Sequence, residues 1–425
     1  MRIALWLLAL FAVAVAAALF AGSNPGSITL FWPPYRVDLS LNLALVLLAV
    51  TFFVLHAALR ALAAFVALPR EARQWRLRQR ERSMQGALLD AFANLAAGRF
   101  VRARKAAQAV LAQIGTMQAD GDTPGLAAQL QSTAHLLAAE ATHALQDRTA
   151  RDVHYRAALD FAGHGAGVEA REAVQLRAAR WALDDRDAAT ALRLLEGLGT
   201  GVARRTLALR MRLRAARMSR ANVLAIDTAR VLAKHHALSP IAAQGVLRGL
   251  AMELIEQAHD PVQLQRTWAA LEASERSMPD VAMCASARLR LLGGPSGAAQ
   301  QWLLPVWELM LGEPGSLSTA QSVSLVRELV RSFAVGPSGP DAAWLGRIEA
   351  AQTQRPADAL LQYLAGVACM QLQLWGKSRL LLTQCLARLQ DPELRRDAWR
   401  LLAEQAQQEG DAEAATKAWR NAAQP

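Results

Sequence analysis

The sequence predicts an all-α protein in which a two-helix transmembrane hairpin precedes a solenoid of degenerate helical hairpins. Three observations predict this fold. Two long apolar runs lie near the N-terminus, and a dense group of arginines follows the second run. The remaining chain is rich in Ala, Leu, Arg and Gln and poor in β-branched and aromatic residues. These abundant residues favour helix because they lose little side-chain freedom in it.

The two apolar runs extend from Ile3 to Ala21 and from Leu39 to Leu59. About 20 apolar residues, each rising about 1.5 Å, span the hydrocarbon core of a bilayer, which is about 30 Å thick. We expect the first run to be an uncleaved helix, because it is longer than the usual apolar region of a signal peptide. Residues 22–38 are expected to form a short periplasmic loop, so residues 1–59 are predicted to be a transmembrane hairpin.

The charges that flank the second run predict the orientation of the chain. The short loop carries Arg36 and Asp38, whereas residues 60–84 carry an excess of arginine. Because positively charged segments remain on the cytoplasmic side, we expect both termini and the bulk of the chain in the cytoplasm. The loop aromatics Phe31, Trp32 and Tyr35 are expected at headgroup level.

Residues 60–84 are predicted to form a basic juxtamembrane helix. Arginines at three-four spacing share one face of such a helix and attract anionic lipid, at about 1 kcal/mol for each charge near the surface. Nucleic-acid binding is disfavoured because few aromatics (Trp75) are interleaved and a membrane is adjacent. A topogenic cluster without specific lipid recognition is an equal alternative. The cluster consists of Arg70, Arg73, Arg76, Arg78, Arg80 and Arg82.

Residues 85–425 are predicted to form helix pairs separated by short breakers. In the clearest pair, between Asp397 and Ala423, two apolar stripes flank a Gly-Asp turn. This pair resembles the tetratricopeptide repeat (TPR), whose usual length is about 34 residues. We expect about six or seven degenerate units, with helix also predicted for residues 204–292, where the register is ambiguous. The predicted packing positions are Gly98, Ala103, Tyr155, Ala158, Gly366, Trp399, Gly410, Ala415 and Trp419.

Stacked units of this kind form a groove that binds an extended peptide or a helix of another protein. The sequence therefore predicts protein partners. The stretch between Ala203 and Asn222 contains many arginines and no acidic residue, which indicates a surface for an acidic partner. A solvated helix face is the alternative. The candidate residues are Arg204, Arg205, Arg210, Arg214 and Arg217.

No constellation of residues in the sequence supports catalysis. Neither His-Glu-x-x-His nor Gly-x-Ser-x-Gly occurs, and three scattered cysteines without CxxC spacing indicate neither a disulfide framework nor a zinc site. We therefore predict a protein that is not an enzyme and that needs no metal or cofactor. His135, His143 and His154 are candidates for metal or haem ligation, against the more common alternative of ordinary surface or groove histidines.

The chain resembles the HemY family of proteobacterial inner-membrane proteins with degenerate TPR units. The resemblance is carried by the stretch from Phe31 to Ser40, which reads FWPPYRVDLS between two apolar runs, and by RARKAA from Arg102 to Ala107. It covers about the first hundred residues well, and beyond them it is architectural. The resemblance implies a location in the bacterial inner membrane and a role at a late step of protohaem synthesis.

The leading hypothesis is a membrane-anchored TPR scaffold that recruits or organises enzymes of a late step of protohaem (porphyrin) biosynthesis, as the resemblance implies. One alternative is a carrier or regulator that binds haem or porphyrin. Another is a general assembly factor for membrane complexes. The expected partners are proteins, which bind in the groove, and anionic lipid of the inner membrane, with no role for nucleic acid.

Overall fold

The computed structural model describes residues 11–16, 22, 26–121, 126–163, 168–312, 315–333 and 342–423, and it describes no side chains for residues 64–74. The described chain is mostly helical and contains one two-stranded sheet. It divides into two compact units, residues 1–170 and residues 171–425.

The first unit contains a β-hairpin followed by long helices. Strands Ser27–Trp32 (β1) and Tyr35–Ser40 (β2) pair in antiparallel fashion. Trp32 lies opposite Tyr35 next to the two-residue turn. The helices that follow are α1 (Leu41–Ala96), α2 (Phe100–Ala119), α3 (Ala127–Ala144) and α4 (Arg148–Gly163).

Residues 22–38, predicted to be a short loop, contain most of a β-hairpin, which corrects the prediction that the chain is all-α. The second helix begins at Leu41 instead of Leu39. Ser40 caps it, since its hydroxyl accepts a hydrogen bond from the Leu43 amide (3.3 Å). Helix α1 then continues to Ala96, so the second apolar run and the basic segment form one helix.

Among the described residues, one stretch of helix is long and apolar enough to cross a membrane. This stretch, Leu41–Ala63, has 23 residues. In its most apolar 18 residues no side chain is buried inside the protein. At about 1.5 Å for each residue it extends about 35 Å, which is sufficient for a bilayer core. The first predicted span lies largely outside the described residues. The part of it that the structure describes, residues 11–16, is helical and exposed. A two-helix hairpin therefore stays a prediction.

Small side chains bring the helices of the first unit together. Ala91, Ala107 and Ala138 are fully buried and form one contact between α1, α2 and α3. A second cluster includes Met84 and Ile114, which are also fully buried. Consecutive helices that are joined by short connections become antiparallel neighbours.

The second unit continues as a succession of helices, of which α5 begins just before the boundary between the units. The stretch with alternating leucine and arginine after residue 204 is helix α8, which confirms the helical interpretation. The helices are α5 (Val168–Asp184), α6 (Ala188–Glu196), α7 (Thr200–Ala203), α8 (Thr206–Met218), α9 (Asn222–Lys234), α10 (Pro240–Glu256), α11 (Pro261–Ala270), α12 (Ala273–Arg276), α13 (Pro279–Leu291), α14 (Ser296–Gly312), α15 (Thr319–Phe333), α16 (Ala342–Gln354), α17 (Ala359–Gln371), α18 (Trp375–Leu386), α19 (Pro392–Glu409) and α20 (Ala412–Ala422).

Alternate helices of the second unit pack side by side. Helix α13 contacts α15, α15 contacts α17, and α17 contacts α19, while α14, α18 and α20 pair with the helix that precedes each of them. Helices α13, α15, α17 and α19 therefore form one layer. Two layers built from consecutive helical hairpins are typical of TPR-type proteins.

The predicted packing positions occupy turns and helix contacts. Gly98 and Gly410 have φ values of 73° and 80°, a left-handed conformation that glycine adopts without strain. Gly366 lies where α17 approaches α18, since a Cβ there would come within 2.8 Å of the Leu382 side chain. Of the remaining predicted packing residues, three are buried, namely Ala103, Ala158 and Ala415. Two are partly buried, Tyr155 and Trp399, and Trp419 is exposed.

Candidate partner-binding surface

A cavity of about 550 Å³ opens beside the layer of alternate helices in the second unit. One wall is a face of α15 that includes Thr319, Val323 and Arg327, spaced four residues apart. The other walls are the start of α17 and the residues that precede α19. Volumes of about 300–1,000 Å³ are usual for pockets that bind a small ligand.

Two aspartates fix the helix starts that border this cavity. The Asp358 carboxylate accepts hydrogen bonds from the backbone amides of Leu360 (2.9 Å) and Leu361 (3.3 Å) at the start of α17. Asp391 accepts one from the Leu394 amide (2.9 Å) and caps α19 in the same way. These side chains are engaged by the fold, because each satisfies amides that a helix leaves without partners.

Arginines give the cavity its electrostatic character. Arg327 donates from Nη2 to Asp391 (3.3 Å) and contacts Glu393 (2.8 Å), which ties α15 to the start of α19. Arg388 is exposed at the rim, where Nη1 donates to the Ala357 carbonyl (3.4 Å). Within the described residues Arg388 forms no ion pair, so its charge is available to an acidic group.

The apolar part of the cavity wall completes the chemistry of the site. Val323 and Leu360 are partly buried, and Leu389 is almost fully buried. An arginine beside such side chains suits an extended segment that carries one apolar side chain and one acidic group. Sequence reasoning missed Arg327 and Arg388, because neither belongs to an arginine-rich stretch and only the pairing of α15, α17 and α19 brings them together.

The arginines predicted to contact an acidic partner lie on or next to α8, and three of the five make contacts within the unit. Arg205 pairs with Glu172 (2.9 Å), Arg214 pairs with Asp184 (3.4 Å), and Arg210 donates to the Ala237 carbonyl (2.8 Å). Arg204 and Arg217 are exposed. The fold thus uses part of this charge to connect α8 with neighbouring helices.

The predicted lipid-binding cluster lies on helix α1. Arg76, Arg78, Arg80 and Arg82 are exposed, and Arg80 pairs with Asp120 (2.9 Å) at the end of α2. The side chains of Arg70 and Arg73 lie outside the described residues.

Two of the three candidate histidines come together in the first unit. The Nδ1 atoms of His135 on α3 and His154 on α4 are 3.0 Å apart, and the His135 ring stacks on Phe161 with a centroid distance of 5.7 Å. Burial, followed by the charge of His154, lowers the pKa of His135 to about 4. His143 lies apart from this pair and contacts Arg151 (3.2 Å).

Burial and the charge of a nearby arginine also lower the pKa of the His154 ring. This charge belongs to Arg104 of α2. The Nε atom of Arg104 is buried and has no hydrogen-bond partner within the described part of the chain. Both imidazoles are therefore held neutral at pH 7. Two neutral rings in contact can pack between helices α3 and α4 without placing a charge there.

Other chemically reactive groups are dispersed. Among the described residues, no three His, Cys, Asp or Glu side chains gather as metal ligands. Burial raises the pKa of the Cys284 thiol to about 11 and that of Cys385 to about 12. At neutral pH these thiols are therefore protonated and weakly nucleophilic.

Comparison with protein families gives one match, to the family described as HemY protein N-terminus, over residues 26–146. The match confirms the resemblance that the sequence showed and includes the hairpin, α1, α2 and α3. No curated protein matches the sequence significantly.

Solved structures that are similar to the chain are distant from it. A chain of the APC/C hetero-tetramer Cut9-Hcn1 is 16% identical over 79% of this chain and 65% of its own length, with a TM-score of 0.28. The TPR domain of P58(IPK) is 12% identical over 80% and 92%, with a TM-score of 0.21. A chain of Naa15/Naa10 bound to HypK-THB is 10% identical over 83% and 64%, with a TM-score of 0.24. This chain spans slightly less than two thirds of the first and third. At such TM-scores the TPR-type architecture rests on the helix pairing described above.

Proposed function

We propose that this chain, whose residues 26–146 match the HemY N-terminal family, is a membrane-anchored scaffold that binds protein partners through its helical hairpins. As the family resemblance implies, these partners are enzymes of a late step of protohaem synthesis, held at the inner membrane. Tethering of this kind raises the effective concentration of partners without any new contact between them.

One observation carries the proposal most directly, namely the cavity between α15, α17 and α19. Its wall combines partly buried apolar side chains with the exposed charge of Arg388. Stacked helical hairpins present concave binding surfaces, and an apolar pocket beside a fixed charge suits an extended peptide.

The membrane anchor is the second part of the proposal. Residues 1–59 form a transmembrane hairpin, residues 60–84 form a basic juxtamembrane helix, and residues 85–425 form the cytoplasmic TPR-like domain. The apolar stretch Leu41–Ala63 and the exposed arginines that follow support this arrangement. By the positive-inside rule, the arginines keep both termini in the cytoplasm, next to anionic lipid.

Site-specific photo-crosslinking of the full-length protein in its native membrane tests the proposal. A photoreactive amino acid replaces Ser324, which lines the cavity, or Leu380, which is 57% exposed on α18 and does not line it. We expect a discrete crosslinked protein at position 324 and none at position 380. Mass spectrometry then identifies the partner.

A charge reversal sharpens the test. Arg388→Glu at the cavity rim is expected to reduce the crosslink at position 324 at least tenfold, because it replaces an attractive charge with a repulsive one. Equal crosslinking at both positions would exclude the cavity as the binding site. A partner unrelated to haem synthesis would instead favour a general assembly factor.

A further inference from the structure

The β-hairpin of the first unit has two chemically different faces. Residues that lie opposite each other in the register share a face: Ile28 with Leu39, Leu30 with Val37, and Trp32 with Tyr35. These six residues, called the apolar face below, carry no charge. Trp32 and Tyr35 are each 73% exposed, and Leu30 is 52% exposed.

The opposite, polar face carries the charged groups of the hairpin. It consists of Ser27, Thr29, Phe31, Arg36, Asp38 and Ser40. Arg36 pairs with Asp38 (3.3 Å) and lies over the Phe31 ring at 5.4 Å from its centroid. Phe31 thus lies on the opposite face from Trp32 and Tyr35 and is itself 73% exposed, although one guanidinium lies over its ring.

The exposed apolar face requires a cover. An isolated two-stranded hairpin is marginally stable in water, and no helix of the first unit within the described residues buries this face. Burial of several large apolar side chains contributes about 25 cal/mol for each Å² removed from water. The hairpin is therefore expected to be ordered by whatever covers the apolar face.

The hairpin is joined directly to the start of the apolar stretch of α1. The Leu41 amide donates to the Gly26 carbonyl (2.9 Å), which closes the base of the hairpin at the first residue of that stretch. Ser40 is at once the last residue of β2 and the cap of α1. If Leu41–Ala63 spans the bilayer, the base of the hairpin lies at the membrane surface.

We infer that this hairpin lies flat in the outer interface of the membrane, with its apolar face in lipid and its polar face in water. The inference rests on the proposed membrane anchor. Six residues at about 3.4 Å each make the hairpin about 20 Å long, whereas the headgroup region is only about 5–8 Å thick on each side. An upright hairpin would hold Trp32 and Tyr35 in water, while a flat one places both rings at headgroup level, where they are favoured.

Lipid fits this face better than a protein partner does. An uncharged face with an indole and a phenol at its end, opposite a polar face with balanced charge, is the pattern of elements that lie in the interface plane. The polar face has one Arg and one Asp, so it neither needs anionic lipid nor opposes it.

Depth-dependent quenching in the full-length protein tests the inference. An environment-sensitive fluorescent amino acid replaces one residue at a time, in vesicles of phosphatidylethanolamine and phosphatidylglycerol that contain lipid with a doxyl group at carbon 5. Positions 30 and 37 report on the apolar face, and positions 29 and 38 are matched controls on the polar face. Position 48, seven residues into the Leu41–Ala63 stretch, reports on the anchor itself.

We expect quenching at positions 30 and 37 that is at least twice that at positions 29 and 38. Equal quenching on both faces overturns the inference. Blue-shifted but unquenched fluorescence at positions 30 and 37 also overturns it, and shows that protein covers the apolar face. Quenching at position 48 in either case leaves the membrane anchor intact. Its absence removes the anchor and the inference together.

Discussion

Replacement of Arg230 by methionine tests the buried ion pair that connects α9 with α12. The Glu275 carboxylate is fully buried and accepts hydrogen bonds from Arg230 Nε (2.9 Å) and Nη2 (2.6 Å) and from the Glu272 amide (2.9 Å). Arg230 also donates to the Ala270 carbonyl (3.3 Å). In the Arg230→Met protein the backbone amide of Glu272 is the one donor left for the carboxylate among the residues that the structure describes.

The size of the expected effect follows from the burial of Glu275. Removal of one partner from a buried ion pair costs about 3–5 kcal/mol, because the other charge stays buried without compensation. The double variant Arg230→Met/Glu275→Gln has no buried charge at this site. It is expected to lose about 1–3 kcal/mol less than the sum of the two single variants.

Hydrogen exchange of the full-length protein in detergent measures this effect locally. A chain with two units does not unfold in a single two-state step, so the amides of α9 and α12 are followed individually. A loss of about 3 kcal/mol accelerates their exchange more than a hundredfold.

A matched control is Arg248→Met, which removes an arginine that is 52% exposed and pairs with Asp280 (2.9 Å). Exposed pairs contribute about 0–1 kcal/mol. The reasoning is refuted if Arg230→Met accelerates exchange no more than Arg248→Met does.

Two further predictions follow from the packing of each unit. Gly366→Ala is expected to destabilise the α17–α18 hairpin by about 1–3 kcal/mol relative to Gly346→Ala. The new Cβ at position 366 would meet Leu382, whereas a Cβ at position 346 meets nothing within 4 Å. Equal hydrogen exchange in the two variants would contradict this prediction. The first unit is expected to lose stability as the pH falls from about 6.5 towards 4, because the unfolded chain binds a proton that His135 in the folded chain, with its pKa of about 4, does not. Exchange rates in α3 measured against pH check this dependence, which His135→Gln should weaken; an unchanged dependence in that variant would exclude His135 as its origin.

The candidate site shows how far sequence reasoning reaches. Of the three histidines, only His135 and His154 meet, although 19 residues separate them, because α3 and α4 pair as a hairpin. Arg327 contacts Asp391 across 64 residues, a pairing that no local pattern encodes. Part of the hairpin at residues 27–40 could have been predicted, since Tyr35 to Ser40 alternate apolar and polar side chains. The Gly and Pro residues nearby favoured a short loop instead.

The sequence by itself determined the helical character of the chain, the apolar stretch that begins near Leu41, the confirmed family resemblance of the N-terminal part and the glycine turns at Gly98 and Gly410. These features follow from helix propensity, hydrophobic periodicity and backbone freedom, which act over a few neighbouring residues. The tertiary structure alone decided which arginines the fold engages, where the cavity forms and which residues of the two hairpin strands lie opposite each other. Each of these depends on which helices or strands become neighbours, and that is settled by the packing of side chains far apart in the chain.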